Sequence, residues 1–465
     1  MSTVAMSGGG PSGGALPLRV AIATVCLLIL ILGLYRQVSP QPYQAPDFAN
    51  TYRAAVALRD GTNIYAPALE WVETYQRGQP LKDQYFYAPT YALLLTPLTL
   101  LSYQTAIAVW GAFLLTFLCI AIYALFHAVG RPPSLSVVLL VAAAASIMSA
   151  VRAEYFLGQA NLFMLACIST ALWARLTERP ILAGVLLAVA LVTKPMLLLI
   201  AGFLLWKREF KFAVTTIVGF FALLLAPFLW LGREALDNLL RLWSFYSSQY
   251  LSFSENITPR GMLERMFTVN PFVPPIVEMP GLVVALWLVI VAVIFILILA
   301  MIAPHPFLRE SRSLVEFGAI LSGLMLVSPL TEPPYLVLLI MPLVAAIIYL
   351  RGVDWRQRRF QWAVVMLCAL WIGELIPRHY TEPFIWRAFS WSGPLETPLR
   401  VVLTPTHFYI LLVTFVLQLH ILHLESGVTT FEAARRFVLN SPMLVGDWLK
   451  DLVALRAPKA PSQHR

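Results

Sequence analysis

A series of about twelve apolar runs constrains what this chain can fold into more than any other feature. Charged residues make up 12% of the 465 residues, whereas a soluble globular protein has about a quarter. Because the runs are continuous rather than alternating, they favour helices over a β-barrel. We therefore expect an all-α polytopic membrane protein with about 12 transmembrane or re-entrant helices. The runs cover approximately residues 18–35, 88–101, 103–128, 135–151, 160–176, 181–206, 212–231, 282–303, 314–329, 335–350, 360–377 and 406–424.

The basic residues indicate an orientation in the membrane rather than a nucleic-acid surface. The net charge is +9, but Lys and Arg lie in short segments between the apolar runs and form no single patch. The most basic segments are 207–211, 351–359 and the tail after residue 424, and we expect them in the cytoplasm. This orientation predicts outer-face loops at 36–87, 232–280 and 378–405.

The domain organisation predicted from these features is a single membrane domain over residues 18–424, located in the cell membrane. Residues 1–17 are rich in Gly and Ser and are expected to be a disordered cytoplasmic N-terminus. The run 18–35 is longer than a signal-peptide core and is expected to be the first anchor. Residues 425–465 are expected to form a cytoplasmic amphipathic tail, and the outer segments 48–59 and 234–250 amphipathic helices in the membrane interface.

Two topologies are compatible with the middle of the chain. If every apolar run crosses the membrane, Arg131, Arg175 and Arg179 lie outside, against the positive-inside tendency. If the run 88–101 and the hairpin around Lys194 and Pro195 are re-entrant instead, the same arginines lie inside. Both topologies leave the large polar loops on the outer face.

Asp47 is the first candidate for chemistry, because it begins a polar helix directly after the first anchor. An Asp between a proline and an apolar-periodic segment is a common helix N-cap. A carboxylate held at the membrane surface could also act as a general base and take a proton from an acceptor hydroxyl. The two interpretations are compatible, because a capped carboxylate is also a fixed one.

Lys194 is the second candidate, because it interrupts an otherwise uncharged run at residues 181–206. A lysine near the middle of a membrane is unfavourable by at least about 2.5 kcal/mol, so it is expected to face a polar cavity or an anion. It lies more than about ten residues from either end of the run, which makes snorkelling to the interface a weak explanation. A lipid phosphate is the natural partner for such a cation.

Three further polar features have simpler structural explanations. The sequence GQAN at 158–161 opens an apolar helix, and Asn161 is expected to cap it. Glu332 lies in SPLTEPP, a proline-rich break that predicts irregular backbone lining a cavity. Asn256 begins an Asn-Ile-Thr sequon, which occurs often by chance. The cysteines and histidines show no metal-site spacing, so we expect neither a metal nor a cofactor.

Two missing motifs restrict the donor. The sequence has no GxxxxGK[ST] phosphate-binding loop and no GxGxxG after a strand. A soluble nucleotide donor therefore has no recognisable site. Any activated donor is expected to be presented in the membrane, as a lipid-linked sugar is.

The order of several short motifs resembles glycosyltransferase family 87, the polyprenyl-phosphate-mannose-dependent mannosyltransferases. The motifs are DFANTYRAA with GTNIY, then YAPTYALLLTPL, GQANL, TKP and SPLTEPPYLVLLIMPL, and they cover roughly residues 18–350. The resemblance implies a GT-C type fold and an inverting sugar transfer on the outer face. It also implies that Asp47 is the catalytic residue. The substrate-binding residues expected beside it are Lys194, Arg265, Asn256, Gln159, Asn161, Tyr87 and Glu332.

One departure from the family pattern bears on activity. After the late Ser-Pro, the family commonly has Trp and then His, whereas this chain has Glu332, Pro333 and Pro334. An inactive family member is therefore one alternative, and a flippase or transporter of lipids or lipid-linked sugars is another. The expected partners are a polyprenyl-phosphate-linked sugar, a lipid or glycan acceptor and membrane lipids, with no nucleic acid.

Overall fold

The structure is a computed structural model that describes residues 24–26, 28, 45–75, 84–302, 304–376, 401–403, 405–428 and 430–439. The predicted N-terminus 1–17 lies outside these residues. So do most of the first anchor at 18–35, nearly all of the outer loop 378–405 and the end of the tail. The described residues form helices joined by turns, with no β-strand among them. An all-helical fold is therefore confirmed for this part of the chain.

The helices are numbered here in chain order. They are α1 (Pro46–Arg59), α2 (Ala66–Thr74), α3 (Pro89–Leu95), α4 (Tyr103–Ala128), α5 (Leu135–Ser146), α6 (Ser149–Leu157), α7 (Asn161–Leu176), α8 (Pro180–Thr193), α9 (Ile200–Trp206), α10 (Phe210–Leu225), α11 (Phe228–Gln249), α12 (Pro259–Phe267), α13 (Pro280–Met301), α14 (Ser311–Val327), α15 (Ile340–Leu350), α16 (Arg358–Leu375) and α17 (Thr406–Ser426). Short 3₁₀-helices cover Thr96–Leu100, Pro195–Leu197 and Pro333–Leu339.

Four helical segments in the described part of the chain are long and apolar enough to cross a membrane. They are Tyr103–Ala128, Pro280–Met301, Pro333–Leu350 and Thr406–Ser426. The number rises to six if two bent pairs, α5 with α6 (80°) and α10 with α11 (85°), each form one span. On α13, Leu288, Val289 and Val293 are exposed, as expected of a helix that faces lipid. These findings fit a polytopic membrane protein, whereas twelve spans and the GT-C fold stay predictions.

The helices pack as two groups that meet at the 3₁₀-helix Pro333–Leu339. In the first group α4, α7, α8 and α10 pack side by side in that order. In the second, α14 packs against α13, α15 and α17, and every one of its residues from 313 to 327 is buried. Helices α6 and α7 contact Pro333–Leu339, so the end of α6 and the start of α7 lie where the two groups join.

The chain between Arg175 and Glu209 is a hairpin of two short helices, α8 and α9, rather than one continuous helix over the run 181–206. The two residues form an ion pair, and Lys207 Nζ donates to Glu316 Oε2 over 2.5 Å. Since α8 and α9 begin and end beside these ion pairs, the turn at Lys194 lies at the opposite end. The Arg131 guanidinium lies beside Gly352 in the 351–359 loop. Arg175 and Arg131 therefore lie beside other basic segments of the chain, and the choice between the two membrane topologies stays a prediction.

Residues 88–101 pack mainly along a single helix, α1. Tyr52 and Arg59 of α1 donate to the carbonyl oxygens of Leu101 and Thr99, each over 2.9 Å. Helix α3 and the following 3₁₀-helix pack along α1. The helix predicted at 48–59 is confirmed, with its observed start two residues earlier at Pro46.

The second predicted interfacial helix is also present, as part of α11. Gly232 has φ 81, a left-handed conformation that glycine adopts without a steric penalty. At the far end of α11, Trp243 Nε1 donates to the Phe86 carbonyl over 2.7 Å, and the Tyr246 ring stacks on Phe86 at 4.4 Å. The segments 36–87 and 232–280 therefore meet in an aromatic cluster. Their location in the membrane interface stays a prediction.

Candidate active site

Asp47 lies in the first turn of α1 but does not cap it. The helix begins at Pro46, its N-cap is Ala45 with φ 49, and no side chain caps it. Proline is favoured at the first helical position because its φ is preset and it has no N–H to satisfy. The predicted capping role of Asp47 is therefore wrong. Its carboxylate Oδ2 instead accepts a 2.5 Å hydrogen bond from Gln159 Nε2.

Gly158 brings the two segments that carry Asp47 and Gln159 together. It ends α6 with φ 68, and its amide donates to the Glu154 carbonyl over 2.8 Å. Its own carbonyl accepts from Trp110 Nε1 at 3.0 Å, and Phe48 stacks on the same indole. A Cβ at Gly158 would lie 2.7 Å from the Phe48 Cβ. Only glycine permits both this backbone conformation and this close approach.

Gly158→Ala is expected to separate Gln159 from Asp47. The added Cβ would meet Ala45 at 2.9 Å as well as Phe48, so α1 must move away. The left-handed conformation adds a strain of about 1–2 kcal/mol. We expect a lower thermal midpoint and a clear loss of activity per folded molecule, measured in detergent and in liposomes.

Gly61→Ala is the matched control for this substitution. Gly61 has the same φ of 68, but nothing lies within 4 Å of the added Cβ. Gly61→Ala should therefore lower the stability by about the same amount of backbone strain and keep its activity. If the two variants behave alike, the close contact at Gly158 has no role in the site.

Lys194 lies at the break between α8 and the 3₁₀-helix Pro195–Leu197. A residue before proline is disfavoured in the helical region, and Lys194 is extended, with φ −142 and ψ 93. Its side chain is 6% exposed. Its Nζ donates to Gln159 Oε1 over 3.3 Å and lies 3.1 Å from the centroid of the Tyr335 ring.

The ammonium of Lys194 has unused donor capacity. It carries three N–H groups, and the described residues give it one hydrogen bond and no salt bridge. The carboxylates of Glu332, Glu154 and Asp47 interact with it electrostatically from a greater distance. A buried cation in this arrangement can bind an anionic ligand.

Asn161 begins α7 but does not cap it, contrary to the expectation from GQAN. The N-cap is Ala160, without a side-chain hydrogen bond. The Asn161 Nδ2 instead donates to Glu154 Oε2 over 2.6 Å and to Gln159 Oε1 over 2.7 Å. The amide therefore serves the side chains of the site rather than the helix backbone.

Glu154 was missed because it falls between two apolar runs. It is 0% exposed, and its Oε1 accepts from the Leu162 amide over 3.1 Å. Gly158 at the end of α6 provides a signal that could have revealed it. A left-handed glycine turns the chain back on itself, which brings a residue of the preceding helical turn against the residues after the glycine.

Tyr87 and Glu332 also belong to this region. Burial, reinforced by the nearby Asp47 and Glu332 charges, raises the pKa of Tyr87 well above its usual value. Tyr87 therefore stays a neutral phenol that can donate or accept a hydrogen bond. Glu332 interacts electrostatically with Lys194 and Tyr335, but it is not among the residues that line the cavities at Lys194.

Two cavities meet at Lys194. A small one holds Asp47 and Gln159, and a larger one of about 280 Å³ extends toward the aromatic cluster. Tyr87, Thr193 and Lys194 line both. The remaining wall of the larger cavity includes Phe86, Ala88, Pro195, Met196, Trp243, Tyr246, Ser247, Tyr250, Leu251, Ser328, Pro329, Leu330 and Tyr335.

Asn256 and Arg265 are not brought into either cavity. Asn256 is 0% exposed, and its Nδ2 donates to the carbonyls of Leu251 and Pro329, each over 2.9 Å. Arg265 Nη1 donates to the carbonyls of Phe253 and Asn256. Both side chains hydrogen-bond backbone carbonyls. Asn256 in this way joins the segment after α11 to the turn at Pro329, which lines the larger cavity.

Comparison with protein-family models identifies the family of this chain. The model of glycosyltransferase family 87 matches residues 85–333, more than half of the chain. A search of curated proteins gave no match. The matched region includes Tyr87, Gln159, Lys194 and Glu332, whereas Asp47 precedes it. The resemblance drawn from the sequence motifs is confirmed: the chain belongs to glycosyltransferase family 87 and is a membrane glycosyltransferase.

Proposed function

We propose that this protein transfers a sugar from a polyprenyl phosphate to a hydroxyl of a lipid or glycan acceptor, on the outer face of the cell membrane. Mannose is the sugar that the family resemblance implies. The observation that carries the proposal is that Asp47 and Lys194 contact opposite ends of one side chain, the Gln159 amide, at the border of two cavities.

This arrangement suits a single displacement with inversion. The bond between the anomeric carbon and the phosphate oxygen breaks, and its electron pair leaves with the phosphate. The acceptor oxygen forms the new bond from the opposite side, and Asp47 takes the acceptor proton. Lys194 stabilises the charge on the departing polyprenyl phosphate.

The larger cavity supports a lipid-linked donor. Its volume of about 280 Å³ is near the lower end of ligand pockets, roughly 300–1,000 Å³. Its wall is formed mostly by aromatic and aliphatic side chains, with Lys194 at the junction with the smaller cavity. An apolar wall beside a single cation matches the isoprenoid and phosphate parts of a polyprenyl phosphate.

The other residues of the site have supporting roles in this proposal. Glu332 and Tyr87 can hydrogen-bond the sugar hydroxyls from the side of Lys194. Gln159 and Asn161 orient the base. Asn256 and Arg265 act indirectly, since their hydrogen bonds to backbone carbonyls keep the wall of the larger cavity in place.

The direct test uses the full-length protein in liposomes. Polyprenyl phosphates carrying labelled mannose, glucose or arabinose are supplied with a membrane lipid extract as acceptor. We expect labelled product together with free polyprenyl phosphate, and more from the mannose donor than from the others.

Two other results would contradict the proposal. Movement of the intact donor between leaflets without release of polyprenyl phosphate would indicate a flippase. Binding of the donor with neither release nor movement would indicate an inactive family member, consistent with Glu332, Pro333 and Pro334 where the family commonly has Trp and then His.

A further inference from the structure

Glu154 is a buried carboxylate to which the proposed reaction gives no direct part. It lies on α6, is 0% exposed and accepts hydrogen bonds at both oxygens. Its Oε1 accepts from the Leu162 amide over 3.1 Å and its Oε2 from Asn161 Nδ2 over 2.6 Å. Burying a carboxylate is unfavourable unless its oxygens are hydrogen-bonded, so this arrangement needs an explanation.

We propose that Glu154 is a positioning residue for the base Asp47, and that it acts through Asn161 and Gln159. The inference rests on the proposed function and extends it to a residue outside the motifs. Its basis is an unbroken series of hydrogen bonds from Glu154 to the Asp47 carboxylate.

The direction of each amide in this series follows from its neighbours. Asn161 Nδ2 has three acceptors, which are Glu154 Oε2, Gln159 Oε1 and, at 3.4 Å, the Pro334 carbonyl oxygen. Asn161 Oδ1 has no hydrogen-bond partner among the described residues, so the contacts of Nδ2 alone set this amide. Because Gln159 Oε1 accepts from Asn161 and Lys194, its Nε2 is the end that faces Asp47.

A purely structural role explains only half of this arrangement. The bond to Leu162 satisfies an N–H in the first turn of α7, which a single acceptor oxygen can do. The second oxygen of Glu154 accepts from the side-chain amide of Asn161 over 2.6 Å, a bond that the backbone of α7 does not require. If Asn161 turned over, Gln159 could turn as well and present its oxygen to the Asp47 carboxylate, where two acceptors repel each other.

The remaining charged and titratable groups around Asp47 come from other elements. Tyr87 and Tyr91 interact with it from the segment before α4, and Lys194 from the α8 break. Tyr335 interacts with it from the Pro333–Leu339 helix. None of these four groups hydrogen-bonds Glu154, but Tyr91, Lys194 and Tyr335 interact directly with its charge. A variant that keeps this charge, Asn161→Ala, therefore tests the hydrogen-bonded route by itself.

The test is the pH dependence of transfer by Glu154→Gln in liposomes. The variant should lower kcat about 10-fold and leave the donor KM unchanged. Asn161→Ala keeps the Glu154 charge and its bond to Leu162. The acid limb of its pH–kcat profile should move to higher pH, because a carboxylate that loses a donated N–H is protonated more easily. In Glu154→Gln the loss of a nearby negative charge opposes this shift, so its acid limb should move less than that of Asn161→Ala.

Glu374→Gln is the matched control. Glu374 is also buried and contacts the same helix at its other end, where it accepts from Ser149 Oγ over 2.9 Å and from the Ala150 amide over 3.2 Å. Its substitution should lower thermal stability and leave the acid limb in place. An unchanged limb in Asn161→Ala overturns the inference alone. Absence of transfer by the wild-type protein overturns the proposed function and the inference together.

Discussion

Asp47→Asn is expected to lower kcat for sugar transfer by about 100- to 10,000-fold, the usual contribution of a general base. Asparagine has nearly the same size and can still accept the Gln159 hydrogen bond through its amide oxygen. It cannot take a proton from the acceptor. The donor KM and the thermal midpoint should therefore stay near their wild-type values. Release of polyprenyl phosphate by the purified protein in liposomes measures the effect.

Asp60→Asn is the control for the charge change. Asp60 follows the last residue of the same helix, and its carboxylate pairs with the exposed Arg59 at 2.9 Å. It should keep wild-type kcat. Wild-type kcat in Asp47→Asn would remove Asp47 from the chemistry. An equal loss in both variants would show that α1 is needed for folding rather than for proton transfer.

Lys194→Met should lower kcat/KM for the donor by about 10- to 100-fold, which corresponds to the loss of one charge-assisted hydrogen bond to phosphate. Methionine fills much of the same space but carries no charge. The acceptor KM should not change, because the cation serves the leaving phosphate. Lys194→Arg should recover part of the activity. Initial rates at varied donor and fixed acceptor, and the reverse, measure the two constants.

Lys207→Met tests whether any buried lysine would have this effect. Lys207 is 2% exposed and its Nζ lies 2.5 Å from Glu316 Oε2, among the ion pairs at the end of the bundle opposite Lys194. Its loss removes one of two ion pairs of the buried Glu316 carboxylate, whose other partner is Arg312, so the thermal midpoint should fall. The donor KM of the remaining folded protein should stay unchanged. A wild-type donor constant in Lys194→Met would contradict the phosphate role.

Parts of the site could be predicted because each part has a local signal. Lys194 stands out as a charge inside an apolar run, and Asp47 as an acid after a membrane anchor. The structure brings both to the same amide. For the run 181–206 around Lys194, the sequence is compatible both with a membrane span and with a hairpin. The ion pair between Arg175 and Glu209 agrees with the hairpin, and no local pattern could have indicated that pairing.

Both helix-cap predictions were wrong for the same physical reason. Asp47 and Asn161 occur where a cap is common, but the helices begin at Pro46 and Asn161, with Ala45 and Ala160 as N-caps. Side chains at helix starts can cap the backbone or bind a distant partner, and the choice depends on what packs nearby. Here the partner is Gln159 in both cases.

The sequence by itself determined the membrane class, the helical fold, the family and the identity of most polar residues in the site. Long apolar runs, proline breaks and short motifs are local properties, and they can be read without knowing how helices pack. Only the tertiary structure decided that Asp47 contacts Gln159, 112 residues away, that Glu154 joins the site, and that Asn256 and Arg265 hold backbone. Such contacts depend on which helices pack together and on where Gly158 permits a close approach, and helical periodicity does not encode either.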